Sequence, residues 1–152
     1  MTKGSVRLEC PDQPAVRALL QENDAYYAAL YPAESNHLID LASLQSPEVA
    51  FFVARFEGEV GGYGACVDCG DYGEVKRLYV PERARGRGLA KLIMDCIERH
   101  ARSRGFGSLR AETGVKQPEA LSLYAKLGYR SIEPFGSYKP DPLSVFLEKA
   151  LI

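Results

Sequence analysis

Arginines and glycines alternate over residues 83–91 in a pattern that could hold a polyphosphate. The stretch reads Arg83-Ala84-Arg85-Gly86-Arg87-Gly88-Leu89-Ala90-Lys91. It joins a strand-like segment to a strongly periodic helix, and glycines at a helix start leave the first backbone N–H groups free for a ligand. Because the helix dipole makes that end electropositive, three arginines are unfavourable there unless an anion neutralises them. Taken alone, the pattern fits either a phosphate site or an exposed basic loop.

Two other glycine-rich phosphate motifs do not match this stretch. A dinucleotide-binding turn has the pattern Gly-x-Gly-x-x-Gly after the first strand, and Lys91 occupies its third glycine position. A kinase-type P-loop ends in Gly-Lys-Ser/Thr, whereas Leu89 and Ala90 follow Gly88. We therefore set both motifs aside.

A second motif lies one strand further along the chain. It reads Ala120-Leu121-Ser122-Leu123-Tyr124-Ala125-Lys126-Leu127-Gly128-Tyr129. Together with Arg83-x-x-Gly86-x-Gly88, it resembles the two motifs of the GNAT superfamily of acyl-CoA-dependent N-acyltransferases. Those motifs are written Gln/Arg-x-x-Gly-x-Gly/Ala and Ala-x-x-Leu-Tyr-x-x-x-Gly-Phe/Tyr. The resemblance is strongest between Glu74 and Arg130 and looser across the rest of the chain.

This resemblance implies a fold and a cosubstrate. The fold would be mixed α/β, with a twisted sheet of six or seven strands and about four helices, whose central strands splay apart to admit the pantetheine arm of acetyl-CoA. The N–H groups around residues 85–90 would hold the pyrophosphate, while Leu78 and Val80 would offer backbone groups to the pantetheine and the acetyl carbonyl. The predicted cofactor-binding residues are Leu78, Tyr79, Val80, Arg83, Arg85, Gly86, Arg87, Gly88, Leu89, Ala90, Lys91, Gln117 and Tyr124.

The resemblance also implies catalytic roles. Tyr124 would be the general acid, because an unperturbed tyrosine pKa near 10 keeps its hydroxyl protonated and able to give a proton to the CoA thiolate. Glu74 matches the position of the catalytic glutamate in some members, Glu112 on the next strand is the second candidate base, and ordered water is a third route. Gln117 stands where many members have an asparagine that contacts the cofactor arm.

The segment after the first helix usually shapes the acceptor pocket in this superfamily. The predicted acceptor-binding residues are Tyr27, Glu34, His37 and Glu112. Glu34 or His37 could bind an ammonium group, although Ser35 or Asn36 could equally cap the next helix. The loop over residues 134–138 could close over the same pocket.

The predicted activity is acetyl transfer from acetyl-CoA to a nitrogen by direct attack in a ternary complex. No acidic groove for basic peptides is evident, so a small-molecule primary amine is the favoured acceptor. A protein lysine or N-terminus and a non-catalytic acyl-CoA-binding module stay open as alternatives. Superfamily members often dimerise, so the oligomeric state, including a homodimer, also stays open.

Strands and helices must alternate in the second half of the chain to position these residues. Periodicity predicts strands at 5–9, 49–56, 60–69, 74–80, 108–113, 129–133 and 144–149, and helices at 13–30, 36–44, 89–105 and 117–128. After the glycine turn, apolar residues recur with i, i+3, i+4, i+7 spacing from Leu89 to Ile97, so one stripe of that helix faces a sheet. Alternating strands and helices imply at least one parallel crossover, and the hairpin at 49–69 makes the sheet mixed.

The overall composition is typical of one cytosolic, soluble domain. The chain has 152 residues, of which 19 are basic and 20 acidic, and this balance argues against nucleic-acid or membrane-surface binding. Residues 1–4 lack an apolar signal region, and no apolar run approaches membrane-spanning length. Cys66 and Cys69 form a C-x-x-C without a second pair or a nearby histidine, so we expect no metal and no redox site.

Overall fold

The structure is a seven-stranded mixed sheet whose two faces are covered by helices. This computed structural model describes residues 4–152. Residues 1–3, which belong to the N-terminal stretch expected to lack an apolar signal region, lie outside the described residues. The strands are β1 (Gly4–Leu8), β2 (Val49–Phe56), β3 (Glu59–Asp68), β4 (Tyr72–Tyr79), β5 (Ser108–Gly114), β6 (Arg130–Ser131) and β7 (Ser144–Ala150). The helices are α1 (Pro14–Leu30), α2 (Leu41–Leu44), α3 (Leu89–Ser103) and α4 (Pro118–Lys126), with short 3₁₀ turns at Ala33–Ser35 and Glu82–Ala84. The predicted mixed α/β fold is confirmed.

The sheet opens between its two central strands. The strand order is β1-β2-β3-β4-β5-β7-β6, and among the described strands only β4 and β5 run parallel. Their pairing ends where Val75 lies opposite Ala111. Both strands continue past this pair, to Tyr79 and Gly114, so they diverge and leave backbone groups available at the centre of the sheet.

Two hydrophobic cores lie on opposite faces of the sheet. One packs α3 and α4 against the strands around Ile93 and Ile97, and the other packs α1 and α2 around Val16 and Leu44. Helix α3 approaches β3 so closely that a Cβ on Gly64 would lie 2.8 Å from Cγ2 of Ile93. The predicted apolar stripe of α3 therefore faces the sheet, as expected.

Strand β4 carries an extra residue at Arg77. On β3, one residue separates Tyr63 from Ala65, whereas their β4 partners, Tyr79 and Lys76, are separated by two. Arg77 accommodates the extra residue with a left-handed φ of +60°, which is uncommon for a residue with a side chain. This bulge lies just beyond the last β4–β5 pair.

The helix predicted over residues 36–44 is wrong for its first half. Helix α2 covers only Leu41–Leu44, and Asp40 caps it by accepting a 2.8 Å hydrogen bond from the N–H of Ser43. Residues 36–40 are not helical because side chains of β4 bind the carbonyls of His37 and Ile39. Neither suggested cap serves this helix, and the Ser35 hydroxyl instead donates to Asp141 at 2.6 Å.

The strand predicted over residues 129–133 is shorter than expected. Only Arg130–Ser131 forms β6, and Ile132 N–H makes one further bond to the Phe146 carbonyl at 2.8 Å. The chain then leaves the sheet before Pro134, which has no N–H to donate. In the part of the chain that the structure describes, no helix is long and apolar enough to cross a membrane.

Candidate active site

Three adjoining cavities follow the opening between β4 and β5. The first, which we call the glycine groove, has a volume of about 260 Å³ and lies between residues 78–80 and the start of α3. The second, the inner cavity, measures about 60 Å³ and lies between α1, α4 and the diverging strands. The third, the outer cleft, measures about 790 Å³ and lies between segments 34–49 and 136–141.

Shared wall residues show that the inner cavity lies between the other two. The glycine groove and the inner cavity share Tyr27, Leu78, Gln117 and Ala120. The inner cavity and the outer cleft share His37, Leu38 and Lys76. A ligand in the groove and a second one in the outer cleft would therefore meet in the inner cavity.

The start of α3 has the backbone geometry of an anion site. Gly86 and Gly88 have φ values of +84° and +72°, and a Cβ at either position would meet nothing within 4 Å. The first helical hydrogen bond runs from Leu92 N–H to the Gly88 carbonyl at 3.1 Å, so the N–H groups of residues 89–91 have no partner within the helix. Open space, free donors and the helix dipole together fit a pyrophosphate.

Of the four predicted basic residues, Arg85 and Lys91 line the groove. Arg85 Nε donates to the Val80 carbonyl at 3.2 Å, which holds its side chain beside the strand. Lys91 pairs with Asp95 at 3.0 Å. Both side chains therefore lie within reach of a phosphate in the groove.

The other two predicted residues, Arg83 and Arg87, do not line the groove and contact other side chains. Arg83 Nη1 lies 2.9 Å from both carboxylate oxygens of Glu22, and the guanidinium of Arg87 lies 4.2 Å from the centre of the Phe56 ring. Tyr79 also turns its hydroxyl to Glu22, at 3.1 Å. Burial, and to a lesser degree this hydrogen bond to Glu22, raises the pKa of Tyr79 to about 12.

Tyr124 on α4 lines the inner cavity although the residue is only 4% exposed. Its ring packs edge-to-face on Tyr129, with centroids 5.1 Å apart. Burial raises the pKa of Tyr124, so its hydroxyl stays protonated throughout the neutral range. A buried aromatic stem and a hydroxyl directed at a cavity are compatible roles for one tyrosine.

Glu112 on β5 lines the same cavity. Its carboxylate accepts a hydrogen bond from the Ser144 hydroxyl at 2.8 Å. Burial raises the pKa of Glu112, and the Ser144 hydrogen bond and the charges of His37 and Lys76 oppose that rise. A carboxylate of this kind is a better proton acceptor than an exposed glutamate.

Glu74 on β4 lies in the outer cleft, not among the residues that line the inner cavity. It is 8% exposed, and its Oε2 accepts a hydrogen bond from the Tyr138 hydroxyl at 2.5 Å. Lys76 Nζ lies 3.4 Å from the same oxygen and also donates to the Tyr138 hydroxyl. The sequence pointed to the 134–138 loop, but no local pattern indicated that Tyr138 would reach a residue 64 positions away.

The side chain of Gln117 hydrogen-bonds to two tyrosines and one backbone N–H. Its Oε1 accepts from the Tyr31 hydroxyl at 3.2 Å and from Gly114 N–H at 3.1 Å, and its Nε2 donates to the Tyr27 hydroxyl at 2.5 Å. Burial raises the pKa of Tyr27 to about 12. Gln117 thus fixes the wall between the groove and the inner cavity. Tyr31, at the start of the segment that the resemblance assigns to the acceptor pocket, lines the inner cavity.

The remaining predicted acceptor residues lie around the outer cleft. Glu34 lines that cleft, whereas His37 lines both the cleft and the inner cavity. The His37 ring packs edge-on against Tyr138, with centroids 5.2 Å apart. The structure therefore brings Tyr124, Glu112 and His37 together at one cavity and leaves Glu34 at the entrance.

Comparison with known proteins gives consistent matches. A family model described as the acetyltransferase (GNAT) family matches residues 16–129. The IAA acetyltransferase of Azospirillum brasilense is 47% identical to this chain over 153 residues, which cover 99% of this chain and 100% of that protein.

Solved structures match over almost the whole chain. A crystal structure from Klebsiella pneumoniae, described as a candidate acyl-CoA N-acyltransferase, aligns with a TM-score of 0.84 and 34% identity, covering 98% of each chain. The PaiA N-acetyltransferase of Thermoplasma acidophilum, solved in complex with coenzyme A, aligns with a TM-score of 0.75 and 17% identity, covering 97% of this chain and 98% of that one. At that identity, the second match establishes a shared fold.

Proposed function

Because this chain belongs to the GNAT family and is an acyl-CoA-dependent N-acetyltransferase, we propose that its acceptor is a small molecule with a primary amine. A relative that matches over its full length is named IAA acetyltransferase, which supports a small-molecule acceptor. The inner cavity of about 60 Å³ has room for an amino group and few further atoms. The body of the acceptor would lie in the outer cleft.

Acetyl-CoA is the cosubstrate, and the glycine groove fits it. When bound, it supplies a thioester carbonyl carbon for attack and a thiolate that leaves. The N–H groups of residues 89–91 would donate to its pyrophosphate, with Arg85 and Lys91 adding charge. Leu78 lines both the groove and the inner cavity, and its backbone would bind the acetyl end beyond the last β4–β5 pair.

Glu112 is the proposed general base. The amine arrives as an ammonium ion and must lose a proton before it attacks, and a carboxylate in the same cavity can accept that proton. Glu112 lines the inner cavity and has a raised pKa. Glu74, the base favoured by sequence, lies in the outer cleft with one oxygen bound to Tyr138, so its role stays a prediction with less support.

Tyr124 is the proposed general acid. Its hydroxyl would give a proton to the departing thiolate, because a free thiolate is a poorer leaving species than the neutral thiol. The raised pKa of Tyr124 keeps this proton in place until negative charge develops on sulfur. After attack the nitrogen still carries one surplus proton, which passes to the Tyr124 phenolate, directly or through water, as the carbon–sulfur bond breaks and the amide forms. Glu112 then releases its own proton to solvent at the outer cleft.

Tyr124 and Glu112 line one cavity that shares four wall residues with the glycine groove, and this arrangement carries the proposal. The test is an acetylation screen with acetyl-CoA against monoamines, diamines, amino acids and lysine-containing or free N-terminal peptides. Thiol release and product mass are both followed. Turnover of small amines is expected, whereas turnover confined to peptides would contradict the proposed acceptor class.

A further inference from the structure

Two consecutive side chains of β4 bind the same acceptor-side segment. Lys76 Nζ donates to the His37 carbonyl at 3.1 Å, and Arg77 Nε donates to the Ile39 carbonyl at 2.9 Å. In a regular strand, consecutive side chains point to opposite faces of the sheet. The left-handed bulge at Arg77 breaks that alternation, so both side chains reach residues 36–40.

The guanidinium of Arg77 is buried beside the inner cavity and is held by several partners. Its side chain is 4% exposed, and Nη1 lies 2.9 Å from Asn23 Oδ1 and 2.8 Å from Asp24 Oδ1. Asn23 is itself fully buried and accepts a 2.9 Å hydrogen bond from the Tyr63 hydroxyl. One side chain of β4 thus connects α1 with residues 36–40 through charge-assisted hydrogen bonds, which are stronger than neutral ones. The neutral bond between Asn23 and Tyr63 extends this connection to β3.

Arg77 lies between the residues that line the proposed acceptor site and those that line the glycine groove. His37 and Leu38, beside the bound Ile39 carbonyl, line both the inner cavity and the outer cleft. Leu78, the residue after Arg77, lines the glycine groove and the inner cavity. A left-handed φ at a residue with a side chain is unfavourable and persists where surrounding contacts enforce it.

We propose that Arg77 is a positioning residue for acetyl transfer, acting through residues 36–40. Its guanidinium holds this non-helical acceptor wall at a fixed distance from the strand that binds the acetyl end. Loosening the wall would misplace the amine while leaving the glycine groove intact. The inference rests on the proposed function in one respect, namely that the acceptor occupies the inner cavity and the outer cleft.

Arg77→Gly tests this role, because glycine adopts the left-handed conformation freely and removes only the side chain. Backbone hydrogen exchange at Asn36 and Leu44, the hydrogen-bonded amides at the two ends of this region, should become about tenfold faster, since exchange reports local opening. The kcat/KM for the best amine of the screen should fall about tenfold or more, because small misplacements are costly. The Kd for coenzyme A, measured by calorimetry, should stay within about twofold, a change too small to indicate loss of a contact.

Arg55→Ala is the matched control. Arg55 makes a comparable set of bonds to Glu9, Gln13 and Gly58, yet it lines none of the three cavities. This variant should lose stability without changing kcat/KM. Millimolar guanidinium should restore part of the activity of Arg77→Gly, and ammonium at equal ionic strength should not.

Unchanged exchange at Asn36 and Leu44 together with wild-type kcat/KM would overturn the proposal. A matching loss of coenzyme A affinity would overturn it too, because Arg77 would then support the whole site and not the acceptor wall. If the wild-type protein acetylates no small amine, the proposed acceptor class fails. The exchange and calorimetry of Arg77→Gly still decide whether Arg77 holds the wall.

Discussion

The glycine groove and the acceptor side of this enzyme are built in different ways. The groove uses backbone groups and side chains from residues 78–91, supplemented by α1 and α4. The acceptor side combines side chains and carbonyls from α1, residues 34–40, β4, β5 and the 136–141 loop. On the proposed assignment, backbone geometry encoded by neighbouring residues would hold the cosubstrate, and contacts between distant side chains would hold the acceptor.

The two regions should therefore fail differently when they are mutated. Damage to the groove should change coenzyme A binding. Damage to the acceptor side should change turnover at unchanged coenzyme A affinity.

Replacing Glu112 with Gln should have the largest effect. Without a carboxylate in the inner cavity, kcat/KM should fall about 10²–10⁴-fold, and coenzyme A affinity should be unchanged. The raised pKa of Glu112 should place the acidic limb of the wild-type pH–rate profile at higher pH than for an ordinary glutamate, because protonation removes the base. Glu74→Gln is the comparison variant: a loss confined to it would reverse the assignment.

Gly86→Val or Gly88→Val should have the next largest effect, which is a loss of affinity for coenzyme A. A β-branched residue opposes φ values of +84° and +72°, so the turn should rearrange and calorimetric affinity should drop about 10²-fold. Gly58→Val is the matched control, because Gly58 has φ +85° and open space in a hairpin turn outside the groove. If the control weakens coenzyme A binding equally, the effect is not local to the groove.

Tyr124→Phe should lower kcat about 10²-fold, the lower end of the usual contribution of a general acid, because solvent can partly replace the lost hydroxyl. Tyr129→Phe serves as the control: it removes a 3.2 Å hydrogen bond to Glu98 outside the inner cavity, so stability should change more than turnover. Pre-steady-state thiol release measures the affected step. Equal kcat values for Tyr124→Phe and wild type would remove Tyr124 as the acid.

Arg85→Ala and Arg87→Ala compare the contributions of these two arginines to coenzyme A binding. Loss of a charge-assisted phosphate contact should weaken coenzyme A binding about tenfold for Arg85→Ala. Arg87→Ala should have a smaller effect, because its guanidinium stacks on Phe56. Calorimetry at one salt concentration compares them, and the reverse ranking would show that Arg87 leaves the ring to bind the ligand.

The smallest expected effect is a gain of thermal stability in Glu112→Gln. Because burial raises the pKa of Glu112, the folded state prefers the protonated form, and that contribution is lost as pH rises through the folded pKa. Glutamine is neutral at every pH, so the variant should have a slightly higher Tm at neutral pH. The difference should disappear only below the pKa of glutamate in the unfolded chain, about 4.3, where the side chain is protonated in both states. A lower Tm at neutral pH would contradict this account.

The sequence predicted the groove better than the acceptor side. Helix α3 and the turn before it depend on neighbouring residues, so periodicity and glycine placement were sufficient there. The helix predicted from residue 36 was wrong because Lys76 and Arg77, 39 and 38 positions from their partners, take the carbonyls that a helix would need. Leucine spacing carries no information about such distant donors.

The same distinction applies to individual site residues. Glu112 and Tyr124 lie on elements whose periodicity is clear, and both reach the inner cavity. Tyr138 and Tyr31 acquire their positions from hydrogen bonds to residues more than 60 positions away. Their contribution follows from tertiary packing, for which one sequence gives no direct signal.

The position of β7 has a consequence for synthesis on the ribosome. This strand follows β6 in the chain but lies between β5 and β6 in the sheet, and it carries Ser144, the hydrogen-bond donor to Glu112. While translation continues, β1 to β4 and α3 can assemble, but β5 keeps an open edge until residues 144–150 emerge. The nascent chain thus exposes a strand edge prone to mispairing, and the proposed catalytic base gains its surroundings among the last steps of folding.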